Sequence, residues 1–249
     1  MILFRRDYRN SLNFKCTIFA LMVTILQLET ATQVCSAALS VNGETIALKE
    51  LAAQNIHAGS LTLFIQEVMA QAGLSFADLD AVAVSKGPGS YTGLRIGVST
   101  AKGLCFALDK PLIGVDTLKM MAHGYLQTDV DYTGLVCPMI DARRMEVFTG
   151  LYDSNLAEVL AVEAKIIDET SYQEQLKDQL ITFIGDGAMK CLEAIISPNA
   201  AFSDLNFNSA TNMSSLAYSA FTANDFEDIA YFEPYYLKDF VITQAKKKV

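Results

Sequence analysis

Histidine is nearly absent from this chain. His57 and His123 are the only two in 249 residues. Neither has a second histidine at helical spacing, and no H-E-x-x-H or H-x-x-x-H pair exists, which argues against a zinc or iron site of that kind. Each reads as an ordinary surface or capping residue. No G-x-S-x-G segment is present, so the strand–turn–helix elbow of many serine hydrolases is missing. Cysteine is sparse and scattered: Cys16, Cys35, Cys105, Cys137 and Cys191 form no C-x-x-C pair and lie mostly in apolar runs. Buried free thiols in a reducing compartment are the expectation, not a disulfide framework. Basic residues are also in deficit, 19 Lys and Arg against 28 Asp and Glu, for a net charge of −9. Such a chain is a poor binder, by itself, of nucleic acid or of an anionic membrane. Any RNA it serves would be gripped mainly by a partner.

What is present is apolar. Hydrophobic residues make up 51% of the sequence, enough for one large or two modest domains with a sizeable core. Residues 1–21 carry Arg5, Arg6, Arg9 and Lys15 ahead of the apolar run 18–23, which looks like a short signal sequence. The run passes directly into a first strand with no small-residue cleavage site, and it is short for a membrane span. Residues 1–21 are therefore expected to be an atypical N-terminal extension, with the working protein starting near Met22.

The remainder reads as two series of similar plan. Residues 24–51 predict three strands, with Asn42-Gly43 as a tight hairpin turn. Residues 56–72 switch to helical spacing, with Leu61, Phe64, Ile65, Val68 and Ala72 in one stripe that Leu63 and Met69 widen. Such a helix is either deeply buried or covered twice. A strand at 81–84, a helix at 94–108, a strand at 111–115 and a helix at 117–125 follow. The second series has strands at 135–140, 145–152 and 156–162. Next come a helix near 172–177, a strand at 181–184 and a helix at 188–196; residues 199–212 read as loop and 214–223 as the last helix. Leu28 and Glu29 at the end of the first strand correspond to Ile140 and Asp141. The simplest account is an α/β chain of two similar halves, 22–126 and 127–249.

The richest stretch is Gly87-Pro88-Gly89-Ser90-Tyr91-Thr92-Gly93-Leu94-Arg95-Ile96-Gly97, where an apolar strand gives way to a helix. No Lys-Ser or Lys-Thr follows the last glycine, so it is no Walker A loop, and its spacing is not the dinucleotide fingerprint. Anion binding at the helix N-terminus and a plain tight connection both stay open. Gly93, Gly97, Ala101 and Cys105 lie four apart on one helical face, flanked by Leu94 and Val98. Small residues in such a row let another helix approach closely. The row packs either inside its own half or against a second chain; with the wide stripe at 61–72, the second reading gains ground. Asp141-Ala142-Arg143-Arg144 lacks the glycines that a phosphate-cradling hairpin wants, so Asp141 with Arg143 or Arg144 reads equally as a structural or a functional ion pair. Lys246-Lys247-Lys248 reads as a solvated end.

Four motifs occur in order: G-P-G-S-Y-T-G-L-R-I-G at 87–97, D-A-R-R-M-E-V-F at 141–148, G-D-G-A at 185–188 and P-Y-Y-L-K at 234–238. Together they resemble the TsaB family, also called YeaZ, over about residues 23–240. The resemblance implies two ribonuclease-H-like halves of the actin/Hsp70/sugar-kinase (ASKHA) type. It implies a cytoplasmic, non-catalytic relative of TsaD that pairs with TsaD. That pair works with TsaE to place threonylcarbamoyl on the adenosine beside the anticodon of tRNAs reading codons that begin with A. It implies no bound cofactor or metal for this chain; ATP, threonine and bicarbonate belong to the pathway. The pairing helices would be 56–72 and 93–108, with Leu61, Phe64, Ile65, Val68, Gly93, Leu94, Gly97, Val98, Ala101 and Cys105 at the interface. The same face could form a homodimer when TsaD is absent. The motif loops would be Gly87, Pro88, Gly89, Ser90, Tyr91, Thr92, Arg95, Asp141, Arg143, Gly185, Asp186 and Gly187. Family members often carry Asp-Thr-Ser where this chain has Glu29-Thr30-Ala31, which weakens nucleotide binding there. A kinase-like enzyme or a glycoprotease-type peptidase is the alternative. The altered hairpins argue against the first and the histidine count against the second.

Overall fold

The computed structural model describes residues 22–52 and 57–238. The proposed extension 1–21, with Cys16, and the basic end 246–248 lie outside the described residues.

Two five-stranded sheets carry the fold. The first contains β1 (Thr24–Glu29), β2 (Val34–Val41), β3 (Glu44–Ala52), β4 (Ala81–Gly87) and β5 (Leu112–Asp116), in the order β3-β2-β1-β4-β5. The second contains β6 (Leu135–Asp141), β7 (Glu146–Tyr152), β8 (Glu158–Ile166), β9 (Ile181–Ile184) and β10 (Ala200–Phe202), in the order β10-β9-β6-β7-β8. Read from the other edge, the second order repeats the first strand for strand. In each sheet the first strand pairs antiparallel with the second and parallel with the fourth. Glu29 and Asp141 end the equivalent central strands, as the repeat predicts.

The inner strands β1, β4, β6 and β9 read as nearly unbroken apolar runs because both faces are covered, while the edge strands β3 and β8 are largely exposed. On β4, Val82 and Val84 pack toward α1 (His57–Ala72) and α2 (Tyr91–Leu108), while Ala81 and Ala83 face the opposite layer. That layer holds α3 (Thr117–Thr128) and α5 (Ser214–Thr222), between the sheets, with Val136, Ile140 and Ile184 of the second sheet closing it. The outer face of the second sheet has its own core around Phe183, Cys137 and Tyr172, beside α4 (Gln173–Leu176). The segment 210–222 thus returns from the second sheet to pack on the first. Asn42 and Gly43 take φ of 52° and 85°, the positive values the hairpin turn requires.

Three local expectations are corrected. The helix expected at 188–196 is a single 3₁₀ turn, Met189–Cys191, followed by further turns. Only Ala188, Cys191 and Ile195 of that stretch are buried, Ile196 is 87% exposed, and Pro198 ends any helical continuation. The loop expected at 199–212 contains β10, which pairs parallel with β9, and a 3₁₀ turn at Ala210–Met213. β8 runs Glu158–Ile166 and not 156–162, because the Asp153 carboxylate accepts from the Asn155 and Ala157 amides and holds the turn there.

Candidate functional site

The glycine segment opens where β4 ends. Gly87 takes φ of 117°, a conformation that L side chains rarely adopt, and the Gly87–Pro88 peptide is cis. Ser90 caps α2, its hydroxyl accepting from the Gly93 amide at 3.3 Å. A strand–glycine–helix junction of this kind is a natural anion site, but here the chain itself occupies the space. The turn after β1 lies directly on it. Ser90 N donates to Ala31 O at 2.6 Å, and Thr30 Oγ1 donates to Gly93 O at 2.8 Å. A Cβ at Gly93 would sit 2.1 Å from Thr30 O, and one at Gly97 would sit 2.3 Å from Thr30 Oγ1. Gly89 is pressed equally closely against Ala31.

This packing overturns the orientation expected for α2. Gly93, Leu94, Gly97, Val98, Ala101 and Cys105 are all buried; Val98, Ala101 and Cys105 lie in the core beneath the first sheet, and Leu94 packs at the Gly87 turn. Leu61, Phe64, Ile65 and Val68 of α1 are buried in the same core, with Met69. The small-residue row is an internal seam against Thr30 and β4, not a surface open to a second chain. The outward residues of α1 and α2 are others: Leu63 is 54% and Phe106 84% exposed. The outer face of the first turns of α2 carries a shallow cavity of about 530 Å³ lined by Tyr91, Thr92, Arg95, Ile96, Ser99 and Thr100. The Arg95 guanidinium lies over the Tyr91 ring, and its Nη1 donates to the Tyr91 hydroxyl at 3.0 Å.

Glu29 ends β1 in full burial. Its Oε1 accepts from Ala31 N at 2.5 Å, while Oε2 and the nearby Ser85 hydroxyl are buried without a hydrogen-bond partner among the described residues. Burial pushes this carboxyl up to about 7, against the hydrogen bond from the Ala31 amide, which holds it down. At the neighbouring strand ends, Lys86 and Asp116 pair at 3.7 Å.

The second half offers a different turn. Asp141 pairs with Lys190 and not with either arginine; its Oδ1 also accepts from the Arg143 amide at 2.8 Å. Lys190 Nζ donates as well to Glu146 O at 2.8 Å. Burial alone would raise the Asp141 carboxyl, but the Lys190 ammonium and the Arg143 amide hold it below the usual range. Asp186 of the Gly185-Asp186-Gly187 turn accepts from Asp141 N at 3.0 Å, and burial raises its carboxyl. Arg143 and Arg144 take φ of 73° and 49°, left-handed positions where glycine would be expected. The structure therefore brings Asp141, Asp186 and Lys190 together; Lys190 carried no sequence signal beyond following the G-D-G-A motif. The motif residue Tyr236 also packs on Tyr91, ring centroids 4.8 Å apart. Among the described residues no group of three His, Cys, Asp or Glu could hold a metal ion, and no helix is long and apolar enough to cross a membrane. His123 joins α3 to the last helix, hydrogen-bonded to Asn212 O and Ser215 Oγ.

Residues 50–248 match the family described as TsaD: tRNA N6-adenosine threonylcarbamoyltransferase. A Bacillus subtilis protein named tRNA threonylcarbamoyladenosine biosynthesis protein TsaB is 31% identical over 166 residues, spanning 66% of this chain and 71% of the relative. The chain belongs to the TsaB/YeaZ family. A TsaB from Haemophilus influenzae is 39% identical over 126 residues, and there the match spans about half of each protein, 51% of this chain and 52% of the relative. The structure of YeaZ from Pseudomonas aeruginosa superposes with a TM-score of 0.77 at 26% identity, covering 87% of this chain and all of that one. The YeaZ fold, here two like five-stranded halves, is the fold seen in this chain.

Proposed function

We propose that this chain acts in tRNA threonylcarbamoyladenosine biosynthesis as a non-catalytic cytoplasmic subunit that pairs with a TsaD homologue, with a TsaE homologue and tRNA engaged through that pair. The names of its relatives support the pathway. The observation that carries the non-catalytic reading is the filled glycine junction. Thr30 O lies 2.1 Å from the position of a Cβ at Gly93, and Ala31 O accepts from the Ser90 amide at the start of α2. The Ser90, Gly93 and Leu94 amides are already hydrogen-bonded within the chain, which leaves fewer donors at this helix start for an anion.

With the small-residue row buried, the partner is assigned to the opposite, solvent side of α1 and α2. Phe106 is its most exposed large apolar side chain, with Leu63 on the adjoining helix and Ile96, Ser99 and Gly103 along α2. Single exposed apolar residues are ordinary, but a phenylalanine 84% exposed one turn from Gly103, with Lys102 and Asp109 on either side, suits a helix partner with polar complements at its rim. The test mixes the purified chain with its TsaD homologue and assays tRNA modification. Activity should require the chain, and Phe106→Glu should abolish both pairing and activity while the melting temperature holds. Full TsaD activity without the chain would refute the subunit role. Wild-type pairing by Phe106→Glu would refute this face.

A further inference from the structure

The exposed side of α2 is a single stripe. Thr92, Arg95, Ser99, Gly103 and Phe106 recur every three or four residues and are all exposed, opposite the buried row that faces Thr30 and β4. The stripe has two different ends. Arg95 stands near its start and Phe106 at its finish, about 16 Å apart along a helix.

The charge on this side is opposite in sign to that of the whole chain. The net charge is −9, yet α2 holds Arg95 and Lys102 and no Asp or Glu. On the adjoining α1 the one carboxylate, Glu67, pairs with Lys49 at 2.7 Å. Lys102 is engaged with backbone, its Nζ donating to Ala230 O at 3.3 Å and to Phe232 O at 2.9 Å. Arg95 differs from both. It is the only charged residue lining the shallow cavity on the first turns of α2, and no ion pair among the described residues includes it. Its one hydrogen bond among the described residues is to the Tyr91 hydroxyl, and the guanidinium rests over the Tyr91 ring, 5.4 Å from its centroid. A guanidinium held in this way, with N–H donors left over, is prepared for a carboxylate, which it grips through two parallel hydrogen bonds. At the other end Asp109 caps α2 beyond Phe106, where it repels an acid.

We propose that the partner on this face is an acidic amphipathic helix, one carboxylate of which meets Arg95 while an apolar side chain about three turns away meets Phe106. This rests on the pairing proposed above and adds the charge and the direction of the partner's helix. A second copy of this chain does not supply that carboxylate, because its α1 and α2 bring only Glu67, already paired with Lys49.

The test is calorimetric binding of the full chain to its purified TsaD homologue at low and at high salt. Arg95→Gln should weaken binding at least about tenfold at low salt, Arg95→Glu further, and Arg95→Lys less than either. Binding by the unaltered chain should weaken as salt rises, and binding by Arg95→Gln much less so. The isolated variants should melt as the unaltered chain does. Unaltered binding by Arg95→Gln and Arg95→Glu, with Phe106→Glu still abolishing it, would overturn the acidic helix and leave the pairing standing. Equal salt dependence in the unaltered chain and Arg95→Gln would also overturn it, since Arg95 would then act by packing. Weaker self-association of Arg95→Gln in light scattering, with unchanged binding to the TsaD homologue, would give the stripe to a second copy instead. No binding by the unaltered chain would remove the pairing and this inference together.

Discussion

Thr30 is seated in the seam that Gly97 leaves open. Its Oγ1 donates to Gly93 O at 2.8 Å and lies 2.3 Å from where a Cβ on Gly97 would stand. Two glycines four apart on α2 thus exist for a turn more than sixty residues earlier in the chain. A leucine at 97 would have to push that turn off the helix, against β4 as well, since Val84 lies 3.4 Å from the same Cβ position. Overpacking of this kind costs about 1–3 kcal/mol. Gly97→Leu is therefore expected to lower the midpoint of chemical denaturation of the isolated chain, with Gly97→Ala intermediate. Equal stability of the three proteins would mean that the seam opens without cost.

Glu29 gives the fold a defined pH dependence. Its carboxyl rises from 4.5 to about 7 on folding, chiefly through burial. The folded state therefore holds the proton more tightly than the unfolded state between those values. Its contribution is complete below about pH 4.5, declines as pH rises, and is gone above about pH 7. The expected loss across that window is a few kcal/mol, on the order of 1.4 kcal/mol per pH unit. Urea denaturation measured from pH 4.5 to 8 should show this fall, and Glu29→Gln should flatten it. The same slope in both proteins would place the titration elsewhere.

The sequence discloses relations within an element far better than relations between elements. The repeat was legible because Leu28-Glu29 and Ile140-Asp141 end equivalent strands, and strand periodicity is local. The row Gly93, Gly97, Ala101, Cys105 was legible as one face for the same reason. Which neighbour fills that face was not, because helical spacing is indifferent to whether Thr30 or another chain lies against it. Lys190 was not legible as the partner of Asp141 because two arginines stand closer in the chain, both on left-handed backbone positions that the sequence does not reveal. β10 was missed because three residues, Ala200–Phe202, are too few to show a period. The segment 225–238 has no period either; its motif Pro234-Tyr235-Tyr236 was visible, but its contacts with Gly87 and Tyr91 bridge distant parts of the chain.

The thiols make a chemical prediction. Cys35, Cys105 and Cys137 are buried, and burial pushes them up to about 11, 11 and 12. The thiolate is the reactive species, so at pH 8 these three should resist alkylation in the folded chain and react once it is unfolded in urea. Peptide mass spectrometry after iodoacetamide treatment reads each site separately. Rapid alkylation of Cys105 in the folded chain would show that the seam beneath α2 opens in solution.

Lys190 supplies the last test, because it links the turn after β6 to the segment after β9. Its ammonium meets Asp141 and the Glu146 carbonyl together, and Asp141 in turn donates its amide to Asp186. Replacing Lys190 with methionine keeps the apolar stem and removes the charge. The Asp141 carboxyl, held down largely by that ammonium, should then titrate at a higher pH, while Asp186 should rise further as it loses the same positive neighbour. Carboxyl-detected NMR titration resolves the two. The lysine is only partly exposed but its partner is about half exposed, so the stability cost should stay near 1 kcal/mol or below. An upward shift of both carboxyls with little change in melting temperature would identify Lys190 as the charge that tunes this turn. Unshifted carboxyls would mean that Arg143 and Arg144 set the potential there after all.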